Sequence, residues 1–476
     1  MLFYFLKSRI NDSIKIMSKP LKLPKKLNLN QNRKKQVFGG LLLFATLGSI
    51  LVLVTRAAVP NIAFQSESAT RSGTAELVSN DSSASGGSYV LFKGSGGGDG
   101  GYATRKCTAG NIPGSPVYLD GGDLAGALYG LQSGQTLVIG PGTYNANVNM
   151  ESKSNITICA NPSGGRPLVY GGIGFSNAAN VHIEGLEFNG GGTAVGGITY
   201  SWGSTNMSAW DNWVHNFDQC GICSASGGGR IDIRYNRIWD NAHTSCFGGS
   251  GISNWAFSNK DSGNNSDGYN SYIIGNVLWD NYQSVPSTCI GSGEITDGNC
   301  IIIDAMDGSQ GSLQGSTDVF AGRFLIANNT CANNGGRCIN IFSSQRADVY
   351  HNTCYQNATS HQPSGNNEIG VVFSNDVKIK NNIVIAGTGL VHGQYQSNGV
   401  DISNNIWWGN GASVFGSNDQ VIDPQITNPQ LNPTQGDWRP RSISPAIGAG
   451  VGISVVPIDA AGKSRSGSPT LGAWEL

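Results

Sequence analysis

Seven asparagines, Asn212, Asn236, Asn276, Asn329, Asn352, Asn382 and Asn405, share one register along this chain. Each follows an alternating apolar stretch, as in IDIRYN (231–236), YIIGN (272–276), FLIANN (324–329) and VKIKNN (377–382). Five have a second asparagine five residues on: Asn241, Asn281, Asn334, Asn357 and Asn410. Leu186 and Asn161 extend the register upstream, and the spacings from 161 are 25, 26, 24, 40, 53, 23, 30 and 23. Strand-period segments repeating every 23–26 residues, with three longer intervals, predict a β-solenoid. Neighbouring coils then stack about 4.8 Å apart. Each coil is expected to turn at its asparagine, which tolerates the left-handed backbone and whose amide both donates and accepts in a ladder.

Composition agrees. Of 476 residues 68 are Gly and only 13% are charged. Amphipathic helical patterns are almost absent after residue 131, which excludes a helical bundle or an alternating α/β enzyme. Stacked coils still bury one face of every strand.

The N-terminus sets the expected location. Residues 37–55, VFGGLLLFATLGSILVLVT, hold no charge and are long enough to cross a bilayer. Ten basic residues and one acid, Asp12, precede them. Basic flanks stay in the cytoplasm, so the rest is expected outside. The domain reading is a basic cytoplasmic segment (1–36), a membrane anchor or signal sequence (37–55), a flexible Ser/Gly-rich linker (56–105) and the solenoid (106–476). Cleavage near Ala57-Ala58 would release it. Beyond Arg56 the chain has 19 basic and 30 acidic residues, near −11, which argues against a nucleic-acid partner. A monomer is expected.

All ten cysteines lie between 107 and 354, and an even number in an oxidising compartment predicts disulfides. Equivalent positions in adjacent coils pair Cys331 with Cys354 and Cys300 with Cys338. The same logic gives Cys246–Cys289, and elimination leaves Cys107–Cys159 and Cys220–Cys223. A redox or metal role for Cys220-x-x-Cys223 is the alternative, without a second CxxC to support it.

Residues 118–144, YLDGGDLAGALYGLQSGQTLVIGPGTY, place a short helix (124–131) before the first coil. This resembles the opening of right-handed parallel β-helix proteins of the pectate-lyase-like superfamily, in which such a helix caps the solenoid. The C-terminal stretches 437–450 and 459–475 resemble their closing segment. The resemblance implies an all-β, single-stranded right-handed parallel β-helix with an N-terminal capping helix, here preceded by one transmembrane helix. It spans lyases, hydrolases, epimerases and non-catalytic adhesins, so activity must come from the site.

Long loops on a rigid scaffold are where function concentrates. The coils starting at 236 and 276 carry the longest insertions, at roughly 255–271, 282–298 and 305–322, which are expected to build a wall on one side of the solenoid. A smaller loop falls at 358–367. The run GEITDGNCIIIDAMDG (293–308) holds Asp297, Asp304 and Asp307, an oxygen-rich set suited to Ca²⁺. Arg337 is expected beside Asn299, with Glu368 at the same level.

The resemblance implies a use for them. Lyases of this kind cleave uronic-acid polysaccharides by β-elimination, with Ca²⁺ on the substrate carboxylate and a Lys or Arg removing the C5 proton. Asp297, Asp304 and Asp307 are then candidate metal ligands, Arg337 or Lys260 the candidate base, and Asn299, Glu368 and Glu294 candidate substrate-binding residues. There are plainer readings: aspartates that form turns, an Arg337–Glu368 ion pair, a solvated Lys260. Trp239, Trp279, Trp407 and Trp408 read as turn packing in preference to sugar platforms. GGRCINIFSS (335–344) resembles a polygalacturonase segment, but Arg337 replaces the histidine and paired adjacent aspartates are absent. Glycan hydrolysis and non-catalytic surface binding remain the alternatives.

Overall fold

The computed structural model describes residues 75–79, 88–92, 105–192, 194–310, 318–360, 366–465 and 467–476. The candidate membrane segment 37–55 lies outside them. Among the described residues no helix is long and apolar enough to cross a membrane. Within the segment read as a flexible linker, Ala75–Ser79 and Ser88–Phe92 pair as an antiparallel ribbon.

From Ser115 to Gly409 the chain winds through three long parallel sheets of 11, 10 and 9 strands. One circuit runs from the first sheet (for example Gly229–Arg234) to the second (Arg237–Trp239) and the third (Ile252–Trp255), then rises one coil to Ser271–Ile274. The chain is a parallel β-helix. Alternation decides its inside. Along Gly229–Arg234, Ile231 and Ile233 are in the core while Asp232 and Arg234 face outward.

The first asparagine column continues without a break through all seven members. The main-chain N–H and the side-chain amide of each donate to Oδ1 of the next, at 2.8–3.2 Å, from Asn212 to Asn405. All seven are 0% exposed. A second column links Asn241, Asn281, Asn334 and Asn357. Asn161 is absent from the first column, and Asn410 is exposed, its side-chain amide donating to the Thr388 carbonyl.

The left-handed turn is not where the sequence places it. The residue before each ladder asparagine adopts it: Asp211, Tyr235, Gly275, Asn328, His351, Asn381 and Asn404 have φ between 51° and 68°. The ladder residue keeps ordinary backbone and works through its amide.

A short helix α1, Leu124–Gly130, closes the N-terminal end. Asp123 caps it by accepting from the Gly126 N–H, and Leu124 and Leu128 enter the core. An uncovered last coil would template further strands. At the other end Asp419 takes the place of the next asparagine, accepting from Asn405 and from the Trp407 indole.

All five disulfides form, but two connect differently from the expectation. Cys331 and Cys354 do stack in register, and so do the strands that follow Cys300 and Cys338. The bonds are instead Cys300–Cys331 and Cys338–Cys354, with Cα separations of 6.0 and 5.7 Å. Stacked side chains in a parallel sheet leave it side by side. Side chains from the second and third sheets meet across the interior corner, and there the sulfurs face each other.

Candidate functional site

The two large insertions flank both ends of the third-sheet strands. Segments 240–251 and 280–300 precede strands Ile252–Trp255 and Ile301–Asp304, while 256–270 and the described residues 305–310 and 318–323 follow them. The expected one-sided wall is thus a pair of walls, with the outer face of the third sheet as the floor. Cys246–Cys289 ties the two preceding loops together. Inward residues Ile252, Ile301, Ile303, Ile339 and Ile341 belong to the core. The floor is therefore built from Trp255, Ile302, Asp304, Asn340, Phe342 and Gly370, which alternate with them.

Arg337 lies on this floor. It is 9% exposed, and its Nε has no hydrogen-bond partner. A Cβ on Gly370 would sit 2.6 Å from its Cδ and Nε, so the side chain crosses the next coil where only glycine leaves room. Burial lowers the Arg337 pKa, opposed by the charge of Asp297.

Asp297 is half-buried. Its carboxylate accepts from the Thr296 hydroxyl at 2.7 Å and the Asn299 amide at 3.2 Å. Burial raises its pKa against those bonds and the nearby Arg337. Asp304 ends its strand and accepts from Gln310 at 3.2 Å. Its pKa is pushed well above the usual carboxylate range, by burial first and then by the charges of Asp297 and Asp307. Asp307 closes a local turn by accepting from the Ser309 N–H. The charges of Asp297 and Asp307 both reach Asp304.

The three acids do not make a calcium cage. Calcium ligands lie 2.3–2.6 Å from the ion, so any two of them are at most about 5 Å apart. Among the described residues, the sets of three ligand atoms within 4.8 Å are Cys107–Cys159–Glu184 and Cys338–Cys354–Glu368, both of which include disulfide sulfurs. Asp297, Asp304 and Asp307 do not converge on one Ca²⁺.

Two expected substrate contacts are structural instead. Asn299, 1% exposed, donates to Ser250 and Asp297 and accepts from the Arg337 N–H, which joins three coils. Glu368 is fully buried and ends the second asparagine column, with no ion pair to Arg337. Glu294 is exposed in the 280–300 loop, where its carbonyl accepts from the Ser287 N–H. Lys260 falls in the turn Asn259–Asp261, and its side chain is outside the described residues. Sequence reasoning missed Gln310. Arriving from the 305–323 loop, it accepts from the Trp255 indole at 2.9 Å and donates to Asp304, bridging two coils of the floor. No local motif marks it.

Trp239, Trp279 and Trp407 pack, as read. Trp239 stacks between His215 and Trp279, with centroids 4.2 and 4.9 Å away, and Trp407 is 0% exposed. Trp408 alone of the four is 42% exposed.

No family model matches the sequence, and no curated protein matches it. Solved structures with a similar architecture include a PL6 alginate lyase in complex with a trisaccharide, at 15% identity over 65% of this chain and 62% of that one, TM-score 0.42. Pectate lyase Pel9A is 15% identical over 74% of this chain and 90% of that one, TM-score 0.39. The A-module of the Azotobacter vinelandii mannuronan C-5 epimerase AlgE6 is 14% identical over 64% and 89%, TM-score 0.37. The chain thus spans less than two thirds of the first of these structures.

Proposed function

We propose that this is an exported carbohydrate-active β-helix protein that cleaves uronic-acid-containing polysaccharide by β-elimination on the outer face of the third sheet. The observation that carries the reading is Arg337, a buried guanidinium with a free Nε, set among the outward residues of the third sheet beside clustered carboxyl groups. A uronate brings a carboxylate and an acidified C5 proton. Arg337 is the group placed to take that proton. The C4–O bond breaks as the C4=C5 double bond forms, and the leaving oxygen takes a proton from water. Burial shifts the Arg337 pKa in the direction a base requires. Asp304, held toward its neutral acid form, offers an O–H to the substrate carboxylate without repelling it. No step runs through Ca²⁺, because the aspartates do not fit it.

Export rests on the apolar run 37–55 with its basic flank and on five disulfides with no free cysteine. The test is a screen on pectate, alginate and neutral glycans, each with Ca²⁺ or EDTA, read as absorbance of unsaturated product. Product from an acidic glycan supports the lyase. Reducing ends without that absorbance indicate hydrolysis, and binding without cleavage indicates an adhesion module.

A further inference from the structure

On the outer face of the first sheet, far in sequence from the insertions, a serine, a histidine and a carboxylate form a connected set. His182 and Glu184 project outward from strand Ala179–Glu184, whose Val181 and Ile183 lie in the core. One coil along, Ser208 stands directly opposite His182 in the parallel register. His182 Nδ1 is 2.7 Å from Ser208 Oγ, and Nε2 is 2.8 Å from Glu184 Oε2. Glu184 also accepts from the main-chain N–H groups of Lys106 and Cys107, a segment pinned there by Cys107–Cys159. His182, Ser208 and Glu184 are 3%, 8% and 0% exposed.

This arrangement fixes the proton. A carboxylate only accepts, so Nε2 carries the hydrogen that points at Glu184. Nδ1 then holds the lone pair that receives the Ser208 hydroxyl at 2.7 Å, nearer than the Val181 carbonyl at 3.4 Å. Burial lowers the His182 pKa, opposed by the Glu184 hydrogen bond, which favours the neutral ring a base needs. Ser208 and His182 line a cavity of about 300 Å³ together with Asn180 and Asn206. Asn206 donates to Asn180 and Asn180 donates to Asn155, which leaves each of the two amides a second N–H.

We propose that Ser208, His182 and Glu184 form a second catalytic site, a serine esterase acting on a short-chain carboxylic ester such as an acetylated hydroxyl. Ser208 Oγ attacks the carbonyl carbon as His182 Nδ1 takes its proton. The ester C–O bond breaks, and the alcohol leaves with that proton. Water, deprotonated by the same nitrogen, attacks the acyl-serine, releasing the carboxylic acid and restoring Ser208. Glu184 holds the ring and its tautomer throughout. The side-chain amides of Asn180 and Asn206 supply N–H donors for the oxyanion on the cavity wall. The small cavity selects short acyl groups. The site is independent of Arg337 and stands or falls separately from the lyase reading.

The test treats the full chain with a serine-directed fluorophosphonate, maps the adduct by mass spectrometry and assays p-nitrophenyl acetate hydrolysis. The expected adduct is on Ser208, and hydrolysis falls about 100-fold or more in Ser208→Ala and His182→Gln. Wild-type protein with an unmodified Ser208, or with its adduct elsewhere, overturns the proposal. Undiminished hydrolysis in a folded Ser208→Ala overturns it too. Because labelling is read on the wild type, the result does not depend on a variant folding.

Discussion

Asn357 donates its main-chain N–H to one oxygen of Glu368 and its side-chain amide to the other, at 2.7 and 2.8 Å. Glu368 thereby occupies the place of the next asparagine and closes the second ladder. Its burial raises its pKa from 4.5 to about 8, against the Asn357 bonds. An unfolded Glu368 releases its proton near 4.5, whereas the folded one holds it to about 8, so the unfolded state binds fewer protons across that window. Stability from this group is therefore full below pH 4.5 and falls as pH rises toward 8, by roughly 5 kcal/mol at most. Urea denaturation at pH 5 and pH 8 should show this loss, and Glu368→Gln should flatten it. An unchanged pH slope in the variant would remove Glu368 as its source.

The first ladder predicts a contrast between two asparagines. Asn352→Ala orphans two buried donors, the main-chain N–H of Asn329 and the one amide N–H of Asn329 that does not reach the Ile273 carbonyl. At about 1–3 kcal/mol each, the loss is roughly 2–6 kcal/mol. Asn410→Ala, outside the ladder and exposed, should stay within about 0.5 kcal/mol. Equal midpoint shifts in denaturant would contradict the ladder's role.

A peptide map of unreduced protein should recover Cys300 joined to Cys331 and Cys338 joined to Cys354. Recovery of Cys331–Cys354 would return the connectivity to the vertical pairing.

The solenoid was legible because its signal repeats. Asn236, Asn276 and Asn329 mark a register that only stacked coils satisfy, and helix α1 stands where Leu124 and Leu128 place it. Orientation was not legible. Cys300 and Cys338 occupy equivalent positions, but equivalence does not say that their sulfurs point across a corner. Asn299 and Glu368 looked free to bind substrate because a sequence does not show that their bonds are spent on neighbouring coils. Sequence reasoning passed over His182 and Glu184, which alternate with the core residues Val181 and Ile183. Their partner Ser208 lies one coil away, and nothing local connects them.

Gly370→Ala tests how Arg337 is seated. The new Cβ would lie 2.6 Å from the Arg337 side chain, which must move. A displacement near 1 Å costs a reacting group about 100-fold. Product formation should fall on that scale, with the folded solenoid intact by circular dichroism. Full activity would show that the position of Arg337 does not matter.

The most direct measurement is the rate of unsaturated-product absorbance on alginate and pectate, for wild type and Arg337→Ala side by side. Wild type should generate product, and Arg337→Ala should generate none while melting cooperatively, since coil stacking and not this side chain holds the fold. Product formed equally by both proteins, or by neither on any acidic glycan, would contradict the assignment of Arg337 and of the third-sheet face as a lyase site.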